Sequence, residues 1–176
     1  KINIDDFSCK VRLVDSVGYV IKEAKGYEDE FGNPRMVKTP WYDEEIPFIE
    51  AAEIGTEKVI RDHSTIGIVV TTDGSISDIA REEYLEAEER VIRELQELGK
   101  PFIVLLNTAD PKGDRAYAIA RDISSRYEVN CMPVNCLELD EDAVGEILKA
   151  VLYEFPMQEL DLFLPPWVDA LPDNHP

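Results

Sequence analysis

The 176-residue sequence lacks any run of about 20 apolar residues, the length that a membrane helix needs. Its start, Lys1-Ile2-Asn3-Ile4-Asp5, has no apolar signal region, so no secretion signal is expected there. Cysteine is scarce too, with only Cys9, Cys131 and Cys136. Their number is odd, and none of them has C-x-x-C spacing. That pattern excludes a disulfide framework and a cysteine zinc site, and we expect reduced thiols.

Positive charge is also sparse, with 18 lysines and arginines against 37 aspartates and glutamates, for a formal net charge of −19. Non-specific binding to nucleic acid needs a basic surface. Anionic lipid likewise attracts basic segments. The composition therefore argues against a nucleic-acid partner and against direct membrane contact. It is typical of a well-solvated acidic cytoplasmic protein.

A third absence concerns phosphate binding, because the sequence contains no G-x-x-x-x-G-K-[ST] loop. It does contain an apolar segment, residues 10–14, followed by Asp15-Ser16-Val17-Gly18. A carboxylate after a buried strand can hold Mg²⁺ through water, and Gly18 would let its N–H approach a γ-phosphate. A plain turn at a strand end has the same spacing. If the corner is a phosphate site, we expect the chain to be a piece of a larger enzyme.

Apolar strands alternate with amphipathic helices along the chain, which indicates an α/β fold with a mostly parallel sheet covered by helices on both faces. The predicted strands are residues 1–4 and 10–14, paired as a hairpin, then 66–70 and 102–106, both fully buried, and more weakly 129–134. The predicted helices are residues 48–62, a segment from Ser77 or Asp78 to Gly99, 115–126 and 140–154.

Two segments depart from this alternation. Residues 19–64 form a long insertion, for which we expect a loop in the first half and the helix 48–62 in the second. Trp41, Tyr42, Ile46 and Phe48 make an apolar cluster there, which either folds back onto the domain or serves a partner. Residues 157–176 contain four prolines and predict an extended tail.

Polar clusters follow the predicted strands, and ligands of parallel α/β proteins sit beyond the carboxyl ends of strands. The clusters are Asp15–Gly18, Thr71-Thr72-Asp73-Gly74, Asn107-Thr108-Ala109-Asp110 and Asn135-Cys136. We assign Asp15 and Gly18 as candidate catalytic residues, with Asp15 also the metal ligand. Asn107, Asp110 and Asn135 are candidate nucleotide-binding residues. Asn107-x-x-Asp110 resembles the guanine-reading Asn-Lys-x-Asp with Thr108 in place of lysine, although an Asn/Asp turn before Pro111 explains it as well.

Several stretches together resemble the stage IV sporulation protein A family, the spore coat morphogenetic ATPases of endospore-forming bacteria. They are residues 11–19, 24–30, 39–42, 51–56, 63–67, 71–74, 86–92, 152–156 and 164–167. The resemblance is dense from about residue 11 to 107 and thinner over 108–144. The long insertion makes it more specific than the Asp-x-x-Gly corner does.

The resemblance implies a P-loop NTPase related to Ras-like GTPases, of which residues 1–156 are a partial domain lacking the first strand, the P-loop and the first helix. It implies ATP and Mg²⁺ as cofactors, with Asp15 matching the Walker B aspartate, and Thr108 agrees with a lost guanine preference. It further implies ATP-driven polymerisation of the spore coat base layer, in the mother-cell cytoplasm at the forespore outer membrane. Partners would be other copies of the protein, a small amphipathic membrane-anchoring protein and further coat proteins.

An alternative is a non-enzymatic interaction module on a degenerate GTPase-like fold. It is motivated by Tyr19, which stands where many Ras-like GTPases have a water-orienting glutamine, and by Thr108 in place of lysine. A phosphate loop within about 100 residues before residue 1 would favour the enzyme. On either interpretation, the 176 residues alone are expected to be inactive.

Overall fold

The computed structural model of the chain describes residues 2–4, 7–21, 24, 26–29 and 31–156, and for residues 2–4 and 7–9 the backbone alone. The strands are β1 (Ile2–Ile4), β2 (Phe7–Cys9), β3 (Met36–Thr39), β4 (Tyr42–Pro47), β5 (Gly67–Thr72), β6 (Phe102–Asn107) and β7 (Cys131–Val134). The helices are α1 (Phe48–Lys58), α2 (Leu85–Glu97), α3 (Asp114–Tyr127) and α4 (Glu141–Tyr153). A π-helical turn, Val59–His63, follows α1, and a 3-10 turn, Arg81–Tyr84, precedes α2.

The centre of the fold is a parallel sheet in the order β5-β6-β7. β5 pairs with β6 from Gly67 opposite Phe102 to Thr72 opposite Asn107, and β6 pairs with β7 up to Asn107 opposite Val134. The carboxyl ends of all three strands therefore lie at one edge. The predicted α/β fold with a parallel sheet is confirmed.

β6 is buried on both faces, which explains its unbroken run of apolar residues. Val104 and Leu106 pack with α2 and α3 on one face, while Ile103 and Leu105 pack with α4 on the other. Each such aliphatic side chain stabilises the fold by about 1.5–3 kcal/mol when fully buried. The core thus fixes β6 as the middle of a three-layer arrangement.

β5 is less enclosed than its β-branched sequence predicts. Val69 and Thr71 are buried, but Ile68 and Val70 on the opposite face are exposed, Val70 to 59%. β5 pairs with β6 along one edge only, and no other described strand pairs with its second edge. The prediction of a fully buried strand is therefore wrong here, because α4 covers the face of β6 without extending over β5.

The hairpin at the start of the chain pairs β1 with β2, so the prediction that residues 10–14 form its second strand is wrong. Residues 10–21 have no regular secondary structure, and Leu13 is 81% exposed. Extended backbone becomes a strand only when a neighbour satisfies its N–H and C=O groups. The described residues place no strand beside this segment.

The insertion is more ordered than predicted, because β3 and β4 form an antiparallel hairpin where a loop was expected. Alternation of Met36 and Lys38 with Val37 and Thr39 is a strand pattern that nearby glycines and prolines obscured. Trp41, at the hairpin turn, lies 3.4 Å from the position that a Cβ on Gly55 of α1 would take. Trp41 thus packs on α1, a helix of the same insertion, but Trp41 and Tyr42 remain 43% and 49% exposed, so both interpretations of the apolar cluster stay open.

Three helix predictions are confirmed, namely α1 with its π-helical turn, α3, and α4, whose N-cap Asp140 accepts the N–H of Ala143 at 2.8 Å. The start of α2 was placed too early. The Ser77 hydroxyl accepts the N–H of Ile79, and Arg81–Tyr84 form a 3-10 turn, so these turns replace the first residues of the predicted helix. No described helix is long and apolar enough to cross a membrane. The predicted tail, 157–176, lies outside the described residues.

Candidate nucleotide site

Three of the four polar clusters meet at the carboxyl ends of β5, β6 and β7, as the sequence predicted. The side-chain oxygen of Asn107 accepts the N–H of Cys136 at 3.0 Å, and its carbonyl accepts the N–H of Asp73 at 3.4 Å. The N–H of Thr108 donates to the carbonyl of Val134 at 2.9 Å. Asn107 thus ties together the loops that follow the three strands.

A buried carboxylate organises this rim. Asp73, 4% exposed, accepts the hydroxyl of Thr108 at 2.8 Å and both the N–H and the hydroxyl of Ser75, at 2.9 and 2.5 Å. Burial alone would raise the pKa of Asp73, but the hydrogen bonds from Ser75 and Thr108 outweigh it and lower the pKa. Arg115 of α3 adds a hydrogen bond to the Asp73 carbonyl at 2.9 Å.

The other two predicted nucleotide-binding residues lie on the same rim. Asp110 is exposed, and its N–H donates to the Thr108 hydroxyl oxygen at 3.3 Å. A Cβ at Gly113 would lie 2.5 Å from the Asp110 carboxylate, so residue 113 must be glycine for Asp110 to keep this position. The side chain of Asn135 accepts the N–H of Leu137 at 3.1 Å and shapes the turn after β7.

The fourth cluster lies apart from this rim. Because residues 10–14 are not a strand, Asp15 and Gly18 do not follow one, and the prediction that all four clusters share one edge is wrong. Instead they line a groove of about 420 Å³ against the open side of β5. The groove is lined by residues 14–19 and 21, by residues 66–71, by the end of α1 and by the apolar face of α2.

Within the groove, the Asp15 carboxylate is exposed and accepts the N–H of Ser16 at 2.9 Å. Gly18 has φ +80 with open space where a Cβ would stand, so its backbone can be approached closely. The described residues contain no group of three or more His, Cys, Asp or Glu that could hold a metal. Mg²⁺ bound to nucleotide takes only one or two carboxylates, with phosphate oxygens and waters as its other ligands. A single carboxylate such as that of Asp15 is therefore sufficient as the protein ligand of such an ion.

Side chains of α1 and α2 hold the Asp15–Gly18 corner and Tyr19 in place, and the sequence did not predict these contacts. The Gly18 N–H donates to the hydroxyl of Thr56 in α1 at 3.1 Å. The Tyr19 hydroxyl donates to Glu94 of α2, and Arg90 lies 3.9 Å from the centre of the Tyr19 ring. Burial and then the bond to Glu94 raise the pKa of Tyr19, so the phenol stays protonated.

A signal for Thr56 was nevertheless present in the sequence. Ala52, Thr56 and Ile60 recur at intervals of four and form the buried stripe of α1 and its π-helical turn. A hydroxyl on such a stripe predicts a buried hydrogen-bond partner. The sequence did not reveal that this partner is Gly18.

Comparison with known proteins decides the family. The sequence profile described as "Stage IV sporulation protein A, ATPase domain" matches residues 1–156. Stage IV sporulation protein A of Bacillus subtilis (strain 168) is 53% identical over 171 residues, which are 97% of this chain and 35% of that protein. The protein of the same name from Clostridioides difficile (strain 630) is 51% identical over 171 residues, again 97% of this chain and 35% of that protein. No solved structure matches significantly.

The chain belongs to the stage IV sporulation protein A family. It spans about a third of the length of the curated relatives it matches, 35% in each case, including the Bacillus anthracis protein at 49% identity. The family profile covers the whole described part of the chain, from β1 to the end of α4. Both the groove and the rim at the strand ends therefore fall within the family's ATPase domain.

Proposed function

We propose that this chain is part of an ATP-binding and ATP-hydrolysing domain whose turnover drives polymerisation of the spore coat base layer on the forespore surface. The observation that carries the proposal is the groove between the Asp15–Gly18 corner and the open edge of β5. The family description as an ATPase domain supports nucleotide chemistry within residues 1–156.

The groove fits one additional strand, paired with the open edge of β5. The unpaired edge of β5 offers N–H and C=O groups to a parallel neighbour, and the exposed Ile68 and Val70 offer apolar surface to a covering element. On the other side stand Val14 and the Asp15–Gly18 corner. A strand laid there would deliver a following phosphate loop to the carboxyl end of the sheet, where Asp73 and Asn107 lie.

The residues then take separate roles. Asp15 would hold Mg²⁺ through its exposed carboxylate, and such an ion would supply positive charge next to the phosphates. The Gly18 N–H donates to the terminal phosphate. Asn107 braces the loops of the rim, and Asp110 and Asn135 present polar groups to the nucleotide. Thr108, which the Asp73 network buries, cannot act as the lysine of a guanine-reading loop.

Assembly is proposed at the level of the longer protein. Its partners are other copies of itself, further coat proteins and a small amphipathic membrane-anchoring protein, in the mother-cell cytoplasm. The formal net charge of −19 supports recruitment through a protein anchor, because anionic lipid repels a surface of this sign.

The proposal predicts that Asp15→Asn in the full-length protein lowers Mg²⁺-dependent phosphate release from ATP by about 100-fold or more. The amide oxygen of the substituted side chain can still accept the Ser16 N–H, so the local turn survives while the charge facing the metal is lost. Phosphate release and ATP-dependent sedimentation of polymer are measured together, and both should fall.

Asp78→Asn is the matched control, because Asp78 is exposed and outside the groove residues and its substitution removes the same charge. Turnover retained in Asp15→Asn would contradict the assignment. A polypeptide of only these 176 residues should release no phosphate, since it contains no phosphate loop. If the full-length protein also fails to release phosphate yet still polymerises, the non-enzymatic interaction module is the better description.

A further inference from the structure

The N–H that would meet the terminal phosphate already has a partner inside the protein. Gly18 donates to the hydroxyl oxygen of Thr56 at 3.1 Å, and Thr56 is 2% exposed on the buried face of α1. A backbone N–H is a single donor, so a well-aligned bond to Thr56 and one to a phosphate oxygen exclude each other. The Gly18 N–H can therefore donate either to the Thr56 hydroxyl or to a phosphate oxygen, but not to both.

A second group of contacts fixes the neighbouring residue. Tyr19 donates its hydroxyl to Glu94, and its ring lies under the Arg90 guanidinium at 3.9 Å. Arg90 also pairs with Glu53 of α1 at 2.9 Å. The corner is thus attached both to α1 in the insertion and to α2 beside the sheet.

We propose that Thr56 is a positioning residue that holds the Gly18 N–H until a terminal phosphate oxygen replaces its hydroxyl, and that the protein thereby distinguishes a nucleoside triphosphate from a diphosphate. This role rests on the proposed function of Gly18. A phosphate oxygen is charged and forms a stronger hydrogen bond than a neutral hydroxyl, so the exchange is favourable once the terminal phosphate is present. A diphosphate lacks that group and leaves Gly18 with Thr56.

The exchange gives the insertion a part in nucleotide sensing. Releasing Gly18 breaks its hydrogen bond to Thr56 of α1. Trp41 of the β3–β4 hairpin packs against Gly55, the residue before Thr56. Helix α1 therefore connects Gly18 directly to the exposed β3–β4 hairpin. Order in such a segment can depend on a terminal phosphate in this way.

The test compares Thr56→Val with Thr56→Ser in the full-length protein. Valine keeps the branched shape but removes the hydroxyl, whereas serine keeps it. Because Gly18 is half-buried, water can reach its N–H in the valine variant, so the free state loses about one hydrogen bond. Thr56→Val should raise the preference for a non-hydrolysable ATP analogue over ADP by about five- to tenfold. Thr56→Ser should match the unsubstituted protein.

An unchanged preference in Thr56→Val, or a shift towards ADP, would overturn the role of Thr56. A protein that binds neither nucleotide in unsubstituted form would overturn the proposed function as well, so the two failures are distinguishable. Tyr19→Phe gives a second route: it removes the bond to Glu94, keeps the ring under Arg90, and should shift the preference in the same direction. The exposed Tyr153→Phe is its control.

Amide hydrogen exchange of the nucleotide-free protein tests the contact itself. Exchange at Gly18 should be about five- to tenfold faster in Thr56→Val than in Thr56→Ser, because only valine removes the acceptor. Equal exchange in the two variants would show that the bond to Thr56 does not protect this N–H, and the proposal would fall.

Discussion

At the scale of single residues, Asp73 connects the ends of β5 and β6 through the hydroxyl of Thr108. The hydrogen bonds from Ser75 and Thr108 favour its charged form and lower its pKa despite burial. A carboxyl group whose pKa is lower in the folded state stabilises the fold at neutral pH. That contribution is lost as the pH falls through the folded-state pKa, below the unfolded value of about 3.9.

We predict that Asp73→Asn lowers the free energy of unfolding at pH 7 by about 1–3 kcal/mol, because a charged acceptor of three donors becomes a neutral amide. Urea unfolding at pH 7 and at pH 3 measures this. The difference between the variant and the unsubstituted protein should shrink at pH 3, because the Asp73 carboxyl of the unfolded chain, with a pKa of about 3.9, is then mostly protonated. Asp78→Asn, at an exposed position, should change little at either pH, and a pH-independent deficit in Asp73→Asn would contradict the assigned charge state.

The residues around Asp73 show which features of the rim the sequence predicts and which it does not. Strand ends in a parallel sheet must share an edge, so Asn107, Asp110 and Asn135 were correctly brought near one another. The role of Thr108 could not be predicted, because its partner Asp73 is 35 residues away and was one of several polar residues after β5. Side-chain pairing between loops depends on register, which residue types alone do not define.

At the scale of elements, the buried pair of Arg81 and Glu88 joins the 3-10 turn before α2 to the sheet. The guanidinium makes two bonds to the carboxylate, at 2.6 and 2.8 Å, and a third to the Thr71 hydroxyl at 2.9 Å. The Glu88 side chain is 1% exposed and that of Arg81 11%. Such a pair is costly to break on one side only, because the remaining charge is left without its partner.

A double-mutant cycle should reveal this coupling. We predict that Glu88→Gln and Arg81→Met each cost about 3–5 kcal/mol of unfolding free energy, while the double variant costs less than the sum. Urea denaturation of all four proteins provides the measurement. Glu89→Gln, which breaks the exposed pair with Arg93, is the control and should cost about 0.5 kcal/mol or less. Additive costs for Arg81 and Glu88 would mean that the pair is not a unit.

Element prediction succeeded where burial and periodicity agreed and failed where a neighbour was needed. β6, α3 and α4 have continuous or helical apolar patterns that packing on both faces of the sheet requires. Residues 10–14 have a strand-like composition, but a strand exists only with a hydrogen-bonded neighbour, and β5 remains open on that side. The unpaired edge of β5 has the same origin, whereas its bare face is the one over which α4 does not extend.

At the scale of the whole molecule, the excess of acidic residues opposes the compact state. The sequence has 37 acidic but only 18 basic side chains, and a compact state brings like charges closer together. The ion pairs of Arg61 with Glu57 and Arg126 with Asp122 act in the opposite direction, but both are exposed, so solvent and salt screen their attraction. Net repulsion over the surface therefore outweighs local attraction.

We predict that monovalent salt stabilises this chain. Raising NaCl from about 0.01 to about 1 M shortens the screening length from roughly 30 to 3 Å, which weakens repulsion between distant carboxylates more than attraction within contact pairs. The urea midpoint should rise, by on the order of 1 kcal/mol in unfolding free energy, with an unchanged denaturant slope. KCl at equal ionic strength should act alike, because the effect is screening rather than ion binding. A midpoint that falls with salt would mean that the exposed ion pairs, and not the net charge of −19, dominate the electrostatics of the fold.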